Sequence, residues 1–286
     1  MANGNFGGGD GTAFNPYLVE DAHDLDAVRN YLGNSSVHFK QVANIDLSSW
    51  GNWLPIQNGT STSGSNVFRG TYDGGGYKIS NMRCQHNRNH VGLFGYTDSA
   101  TIKNVFVENC NVSGIDYVGG LASYTSSNSS IVSNCYSSGN VIGVSWVGGL
   151  VGYAFSGAIS NCYSSGNVSG DSRIGGLIGG SGAKISNCYS SVNVSGNDYW
   201  IGGLIGSSSS TVSNCYSSGS VSGYNSVGGL VGMTSSAKVS NSYALNPFIA
   251  RVPSSTSTNF GDIAGSYDSG DIKNCFSLDT LEFRQL

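Results

Sequence analysis

A short frame, Ile/Val-x-Asn-Z, recurs along most of the chain at nearly regular intervals. Successive occurrences are 23, 30, 27, 26, 27, 27 and 33 residues apart, and position Z falls at Met82, Val105, Cys135, Cys162, Cys188, Cys215, Ser242 and Cys275. Self-similarity with a period of roughly 20 to 50 residues is typical of a chain built from stacked structural repeats. The frame therefore predicts about eight coils of a solenoid.

Two further frames repeat with the same period. A Gly-Gly-Leu frame begins at Val118, Val147, Ile174, Ile201 and Val227, and a lone valine recurs at Val112, Val141, Val168, Val194 and Val221. Each unit thus holds three short apolar segments separated by Gly, Ser and Asn, which fits strands better than helices. Stacked units would pair these strands in parallel ladders, and parallel crossovers are nearly always right-handed. The sequence predicts an all-β, right-handed parallel β-solenoid with three-strand coils.

The Gly-Gly-Leu frame poses one packing problem. In VGGLVG both Leu150 and Val151 are apolar, and strict alternation along a strand cannot bury two neighbours. Either the glycines mark a bulge, or the outer face is covered.

The composition supports a packed repeat protein. Only 10% of the 286 residues are charged, against about 25% in an average soluble domain. The 43 glycines could indicate disorder, but 38% of the residues are hydrophobic and stand at fixed intervals. The net charge is −4, with no cluster of Lys or Arg, so we expect no nucleic-acid partner.

The two ends of the chain look different from the repeats. The segment DAHDLDAVRNYL (21–32) predicts a helix that caps the solenoid, within an N-terminal cap spanning residues 1–50. The solenoid is expected over residues 51–277. Residues 278–286 form a short tail that either seals the last coil or docks on another subunit, which leaves a homo-oligomer open.

Targeting signals are not visible. The start, MANGNFGGGDGT, lacks the basic and apolar regions of a signal peptide, and no stretch approaches the ~18 apolar residues of a membrane span. We expect synthesis in the cytoplasm, no insertion into a membrane, and a final place on a virion or cell surface.

The cysteine-rich column is predicted to be core. Met82 and Val105 share the position with cysteine, which neither a zinc site nor a disulfide framework would tolerate. Cys162 and Cys188 would stack within reach of a bridge, but seven cysteines is an odd number, and buried free thiols suit a reducing cytoplasm. The asparagine before each column member is expected at a corner: Asn81, Asn104, Asn134, Asn161, Asn187, Asn214, Asn241 and Asn274.

Catalytic and metal-binding motifs are weak. No P-loop, GxSxG, HExxH or paired CxxC occurs, and the Cys84, His86, His90 cluster matches no metal template, so we expect no metal, no cofactor and no enzyme activity. Asp171 and Asp198 follow the NVSG segments at nearly equivalent places. They are either turn residues or an acid/base pair of a solenoid enzyme.

A column of large side chains gives the strongest candidate site. The residue before each Val/Ile-Gly-Gly is Tyr117, Trp146, Arg173, Trp200 or Ser226, and the nearby Asp116, Asp198 and Tyr199 back this column. If the next residue faces inward, these side chains face outward, as a platform for sugar rings or a partner protein. The alternative is that they only pack on one another. A second column is expected to stabilise the whole rod: Phe106, Tyr136, Tyr163, Tyr189, Tyr216, Tyr243 and Phe276.

The units VGGLVGY and GAISNCYSSGNVSG resemble the GLUG motif, and the lead-in GGGDGTAFNPYLVEDAHDLDAVRNYL resembles the usual start of GLUG-motif proteins. The resemblance covers nearly the whole chain. It implies a solenoid displayed on a surface, as in bacterial adhesin-like surface proteins and in phage or prophage structural proteins, and it carries over no catalytic residue.

These observations lead to one functional hypothesis and two alternatives. The first is a non-enzymatic surface-display or adhesion rod, such as a phage fibre or a head or tail decoration protein, that binds a host glycan or a partner protein. The second is a polysaccharide-processing lyase or hydrolase on the same scaffold. The third is a purely structural filament subunit.

Overall fold

The computed structural model describes residues 6–57, 64–252 and 259–278, together with the backbone of one strand at 282–285. One helix, α1 (Ala22–Ala27), continues into a 3₁₀ turn at Val28–Tyr31, and a second 3₁₀ turn covers Gly64–Asn66. All other regular structure in these ranges is β: β1 (Tyr17–Val19), β2 (His38–Gln41), β3 (Ile45–Asp46), β4 (Thr71–Asp73), β5 (Lys78–Ser80), β6 (Arg83–Gln85), β7 (Phe94–Asp98), β8 (Thr101–Lys103), β9 (Phe106–Ser113), β10 (Asp116–Gly119), β11 (Ala122–Ser126), β12 (Ile131–Ser133), β13 (Tyr136–Ile142), β14 (Ser145–Gly148), β15 (Val151–Ala154), β16 (Ala158–Ser160), β17 (Tyr163–Gly170), β18 (Ser172–Gly175), β19 (Ile178–Ser181), β20 (Lys184–Ser186), β21 (Tyr189–Ser190), β22 (Asn193–Gly196), β23 (Tyr199–Gly202), β24 (Ile205–Ser208), β25 (Val212–Ser213), β26 (Tyr216–Ser217), β27 (Val221–Gly223), β28 (Asn225–Gly228), β29 (Val231–Ser240), β30 (Tyr243–Ala244), β31 (Phe248–Arg251), β32 (Phe260–Gly261), β33 (Ala264–Lys273), β34 (Phe276–Ser277) and β35 (Glu282–Gln285).

The strands form three sheets that run along the rod. Sheet A has 15 strands and contains two ladders that meet in the long strand β29: β1-β2-β4-β8-β12-β16-β20-β25-β29 and β7-β11-β15-β19-β24-β29, with β33 beside β29. Sheet B has 14 strands, of which the main ladder is β3-β5-β9-β13-β17-β21-β26-β30-β34. Sheet C has six: β10-β14-β18-β23-β28-β32. Neighbouring strands pair in parallel, as in β14 with β18 and β13 with β17.

One coil passes through each sheet in turn. The chain leaves β14 in sheet C, turns at 149–150, follows β15 and β16 in sheet A, turns at Asn161, and enters β17 in sheet B. This confirms the parallel β-solenoid with three strands per coil, with the sheet A strand often split in two. The handedness stays a prediction.

The predicted cysteine column is a continuous ladder, buried from Val105 to Ser242 and half-buried at Cys275, but it is one coil shorter than expected. The backbone N–H of Tyr136 donates to the carbonyl of Val105 (3.0 Å), and the same bond joins each later coil to the one before it, up to the N–H of Phe276 and the carbonyl of Ser242 (3.1 Å). The column therefore has seven members, Val105, Cys135, Cys162, Cys188, Cys215, Ser242 and Cys275, and the structure has about seven turns.

Met82 lies outside this column, contrary to the sequence prediction. Ile79 pairs with Val107 and Cys84 pairs with Val112, so Met82 belongs to sheet B, level with Cys110. The physical reason is an extra turn: Gly74 to Gly76 make the corner that Asn104 makes in the next coil, with the N–H of Gly76 donating to the carbonyl of Asn104 (3.2 Å). Met82 is fully buried all the same.

Seven of the eight asparagines, Asn104 to Asn274, occupy corners, whereas Asn81 lies within sheet B, level with Asn109. All eight have left-handed backbone angles, which asparagine tolerates. Among them the φ angles range from 48° to 59°, and short polar side chains adopt this region more readily than other non-glycine residues. Their side-chain amides also connect coils: Asn134 Nδ2 donates to Asn104 Oδ1 (3.2 Å), and Asn274 Nδ2 to Asn241 Oδ1 (3.2 Å). The structure thus supports the corner role.

The neighbouring Leu150 and Val151 are both fully buried. The chain changes direction between sheets C and A at this point, so the two side chains enter the core from different walls. The glycines allow this because an added Cβ at Gly148 would lie 2.1 Å from the carbonyl oxygen of Val151 and 2.7 Å from the nitrogen of Gly179. Sheets A and C are therefore in backbone contact, which only glycine permits.

The N-terminal helix forms where predicted but is shorter. Asp21 is its N-cap, since the Asp21 carboxylate accepts hydrogen bonds from the N–H groups of His23 (2.9 Å) and Asp24 (3.0 Å). Leu25 and Val28 are buried in the core. Strands β1 and β2 already belong to sheet A, so the solenoid ladder extends back into the region predicted as the cap.

At the other end, β35 lies in the predicted tail and its backbone pairs with β31, while residues 279–281 and 286 fall outside the described part. A search of the described residues for a helix that is long and apolar enough to cross a membrane finds none.

Candidate ligand-binding edge

The residues of the candidate column all share an unusual backbone conformation. Tyr117, Trp146, Arg173 and Trp200 have φ angles of 58°, 59°, 58° and 67°, and His90 in the preceding coil has 62°. Residues on either side pair in register, for example Asp116 with Ser145 and Val118 with Val147. The left-handed residue turns its side chain out of the sheet, so the side chains of successive coils line up. We call His90, Tyr117, Trp146, Arg173 and Trp200 the aromatic edge.

The side chains of the aromatic edge stack from coil to coil. The rings of His90 and Tyr117 are 5.0 Å apart and nearly parallel (4°), and those of Tyr117 and Trp146 are 6.1 Å apart at 9°. The guanidinium carbon of Arg173 lies 4.5 Å from the ring centre of Trp146 and 4.3 Å from that of Trp200. The prediction of a flat platform is therefore wrong for Trp146, because both of its faces are covered by neighbours. Only the edges of the stacked rings, and not their faces, remain for contact with a ligand at Trp146.

Three tyrosines beside the edge were missed by the sequence analysis. Tyr96 and Tyr124 stack at 4.5 Å, Tyr124 and Tyr153 lie 5.2 Å apart, and the rings of Trp146 and Tyr153 meet edge-on at 4.5 Å. The signal was present, since each tyrosine stands three residues after the leucine of its Gly-Leu frame. The next coil has Gly180 at this place, where an added Cβ would lie 2.2 Å from the ring of Trp146.

Arg173 is the only cation of the aromatic edge, apart from the histidine ring. One Nη atom donates to the hydroxyl of Tyr199 (3.3 Å), and the guanidinium lies 5.1 Å from the Tyr199 ring centre. Tyr199 therefore lies against Arg173, beside the aromatic edge. The Nε of Arg173 is buried and has no hydrogen-bond partner within the described ranges.

The predicted carboxylates lie near the edge but act within the fold. Asp198 Oδ2 accepts a hydrogen bond from the hydroxyl of Ser172 (3.1 Å), and Asp171 Oδ1 accepts one from the side chain of Asn197 (3.0 Å). The N–H of Asp198 donates to the carbonyl of Asp171 (3.0 Å), and in these ladders such a bond joins a residue to the one before its register partner. Asp198 therefore lies level with Ser172, one position beyond Asp171.

Asp116 lies at the level of Ser172 rather than at the level of Asp171. Its register partner is Ser145, which in turn pairs with Ser172, one position after Asp171. Burial raises the pKa of the Asp116 carboxyl, while the charge of Arg173 acts in the opposite direction.

His90 is the most enclosed member of the edge. The residue is 8% exposed, and its ring stacks on Tyr117 and meets Tyr96 and Tyr124 edge-on. The Nδ1 atom lies 3.4 Å from the hydroxyl of Ser123. Burial, assisted by the positive charge of Arg88, lowers the pKa of His90 to about 4. The ring is therefore neutral at pH 7.

This shift predicts a loss of stability in weak acid. The folded-state pKa of His90 (about 4) lies below the unfolded value (about 6.5), so the unfolded chain binds the extra proton between these values. The free energy of unfolding should fall as the pH drops from about 6.5 to about 4, by roughly 2–3 kcal/mol from this residue. Urea unfolding of the wild type and a His90→Phe variant across this range measures it. Identical pH dependence of the two proteins would contradict the argument.

Cys84 and His86 of the predicted cluster both make contacts within the fold. The thiol of Cys84 is fully buried, His86 Nε2 lies 2.8 Å from the carbonyl of Trp53, and the described residues contain no group of three or more potential ligands. Burial raises the pKa of Cys84 to about 12 and that of Cys110 to about 11. These thiols are protonated at neutral pH, and all seven cysteines are free.

The second aromatic column also stacks, on sheet B. Tyr136 and Tyr163 are 4.9 Å apart, Tyr163 and Tyr189 4.1 Å, and Tyr189 and Tyr216 4.9 Å, all with nearly parallel rings. The hydroxyls of Tyr136 and Tyr163 contact serine hydroxyls of the following coil. This regular ladder fits the predicted structural role.

Comparisons with known proteins support the repeat. The family model described as the GLUG motif matches residues 145–169 and 170–195. The chain is 39% identical over 119 residues, 40% of its length, to a protein of Evansella cellulosilytica named as a candidate Gly-rich membrane protein. It is 36% identical over 121 residues, 39% of its length, to halomucin of Haloquadratum walsbyi. The matches span 12% and 1% of these two relatives, so the chain corresponds to a small part of each.

Two solved structures share the fold. A candidate immunoglobulin A1 protease from Bacteroides ovatus aligns with a TM-score of 0.69 and 23% identity, over 97% of this chain and 80% of that one. A structure named IgA1 protease aligns with a TM-score of 0.67 and 17% identity, over 90% of this chain and 21% of that one. At such identities the likeness shows the architecture alone. The protein is thus a parallel β-solenoid that carries GLUG repeats, matched at residues 145–195.

Proposed function

We propose that this protein is a non-enzymatic surface-display or adhesion rod that binds a glycan or a partner protein through the aromatic edge. The observation that carries this proposal is the alignment of Tyr117, Trp146, Arg173 and Trp200 on four consecutive coils, all half-buried at the surface. Large aromatic side chains and arginine are enriched where proteins bind ligands and partners, because they supply contact area together with polar groups.

The proposed location is the surface of a cell or a virion. The names of the two relatives, a candidate membrane protein and a halomucin, support a cell surface, and the phage fibre or decoration protein is the other form of the same proposal. Immunogold labelling of the producing cells distinguishes them: label on the envelope supports the first, and label on released particles supports the second. Label confined to the cell interior would contradict both.

The glycan form of the proposal is tested on an array. The wild type should bind at least one glycan, and a Trp146→Ala, Trp200→Ala double variant should bind it at least about tenfold more weakly, because each lost indole removes contact area worth more than about 1 kcal/mol. Tyr216→Ala is the matched control: Tyr216 is 37% exposed but belongs to the second aromatic column, so binding should not change.

Two results would contradict the proposal. Release of oligosaccharide ends by the wild type, abolished by Asp171→Asn or Asp198→Asn, would show a polysaccharide-processing enzyme. End-to-end assembly of the purified protein, with no glycan or protein ligand, would show a structural filament subunit. Equal binding by the wild type and the double tryptophan variant would place the ligand elsewhere on the rod.

A further inference from the structure

We propose that the aromatic edge recognises an acidic polysaccharide and binds its carboxylate or sulfate groups through the N–H donors of Trp146, Arg173 and Trp200. This inference rests on the proposed function and names the class of ligand. Its basis is the set of chemical groups that remain available once the side chains have stacked.

The first step is the orientation of the side chains. Tyr117 and Arg173 cover the two faces of Trp146, while Arg173 itself lies between the two indoles. A sugar therefore cannot stack on Trp146 and meets the rims of these side chains instead. The rim of an aromatic ring carries partial positive charge, opposite to that of its face. The rims attract electron-rich atoms.

The second step is the hydrogen-bonding capacity of these rims. Tryptophan and arginine side chains are donors only. The buried indole N–H of Trp53 donates to the carbonyl of Leu93 (3.2 Å), whereas those of Trp146 and Trp200 have no acceptor among the described residues, and neither is sealed from solvent. The Nη2 atom of Arg173 likewise has no acceptor among the described residues and is not sealed, while the Nη1 atom donates to the Tyr199 hydroxyl. Three neighbouring coils thus each present at least one hydrogen-bond donor that has no acceptor among the described residues.

The third step is charge. The described chain holds five ion pairs, formed by Arg29, Arg69, Lys78, Lys103 and Lys273 with Asp or Glu. Arg173 is in none of them, so no described carboxylate oxygen lies within 4.0 Å of its guanidinium. A guanidinium binds a carboxylate or sulfate with paired, charge-assisted hydrogen bonds, and such bonds are about twice as strong as neutral ones. The unpaired charge therefore favours an anion.

The fourth step selects a polysaccharide over an acidic peptide. The donors lie one coil apart, about 4.8 Å, so a linear polymer along the rod axis would reach all three. The flanking Tyr117 and Tyr153 are half-buried at the surface, and phenol groups both donate and accept hydrogen bonds. Such groups suit a ligand that bears hydroxyls beside its acid groups, which a polysaccharide does.

The experiment compares four polymers on the immobilised full chain: polygalacturonate, dextran sulfate, neutral dextran and poly-glutamate. We expect the wild type to bind the first or second, more weakly as NaCl rises, and to bind dextran and poly-glutamate at least about tenfold more weakly. Arg173→Met should lose at least about tenfold in affinity for the acidic polysaccharide. Trp200→Phe keeps a ring without the N–H and should lose a smaller, measurable factor.

Lys184→Met is the control for charge alone, because Lys184 is exposed on sheet A, away from the edge. Unchanged affinity in Arg173→Met, or equal binding of dextran, would overturn the inference while the array result for the double tryptophan variant still stands. Stronger binding of poly-glutamate than of both acidic polysaccharides would indicate that the ligand is an acidic protein and not a glycan. Absence of binding to every polymer and every array glycan would overturn the inference and the glycan form of the proposed function together.

Discussion

Replacing Gly179 by alanine should lower the free energy of unfolding by about 3 kcal/mol or more, which corresponds to a melting temperature lower by roughly 10 °C. An added Cβ at Gly179 would lie 2.5 Å from the carbonyl carbon of Trp146 and 2.5 Å from the nitrogen of Val147. These are backbone atoms of sheet C that cannot rotate away. Relief requires the two sheets to separate, which would disturb the aromatic edge as well.

The matched control for Gly179→Ala is Ser195→Ala. Ser195 is exposed on β22, where the change removes only a hydroxyl, so its melting temperature should stay close to that of the wild type. Thermal unfolding followed by circular dichroism at the β-sheet minimum measures both variants. A Gly179→Ala protein as stable as the control would show that sheets A and C are not in backbone contact.

Replacing Cys188 by aspartate should have an effect of similar or greater size. Cys188 is 1% exposed and lies between Cys162 and Cys215, and its thiol donates to the carbonyl of Ser186 (3.2 Å). An ionised carboxylate cannot donate, would face that carbonyl oxygen, and would be buried without a counter-ion. Unpaired buried charges typically cost several kcal/mol. We expect the variant to unfold at a much lower urea concentration.

Cys188→Ser is the control for this substitution. Ser242 occupies the same column, is fully buried, and donates from its hydroxyl to the carbonyl of Ser240 (2.7 Å). A serine at 188 can make the equivalent bond, so it should cost about 1–2 kcal/mol at most. If urea unfolding shows the aspartate and serine variants to be equally stable, the column is not the dry interior that the structure describes.

The sequence predicted the repeating part of the fold well because a ladder places equivalent residues in register. Thiols, valine and serine that share one sequence position also share one column, which is buried from Val105 to Ser242 and half-buried at Cys275. The prediction failed at Met82, where a similar tetrapeptide stands one strand further on. The turn at Gly74 to Gly76 replaces the asparagine corner in that coil. A four-residue sequence frame does not show that extra residues separate this corner from the next asparagine.

The candidate site was predicted in position but not in geometry. The spacing placed Trp146, Arg173 and Trp200 in one column, and the structure brings them together. Whether rings present faces or rims depends on the left-handed backbone angle of each residue, which the sequence does not reveal for tryptophan or arginine. Tyr96 and Tyr124 were missed because later coils have Gly180 and Ser207 at the same position, three residues after the leucine. The sequence therefore does not show a regular column of aromatic residues there.

The left-handed position that precedes each Val-Gly or Ile-Gly pair has a consequence for how such proteins diversify. It accepts histidine, tyrosine, tryptophan, arginine and serine at φ angles between 54° and 67°, while the residues that follow it stay buried and nearly invariant in type. One substitution in each coil can thus change the chemistry of the surface without disturbing the buried core. Selection for new ligands would be free to act on these few codons, independently of the constraints that keep the rod folded.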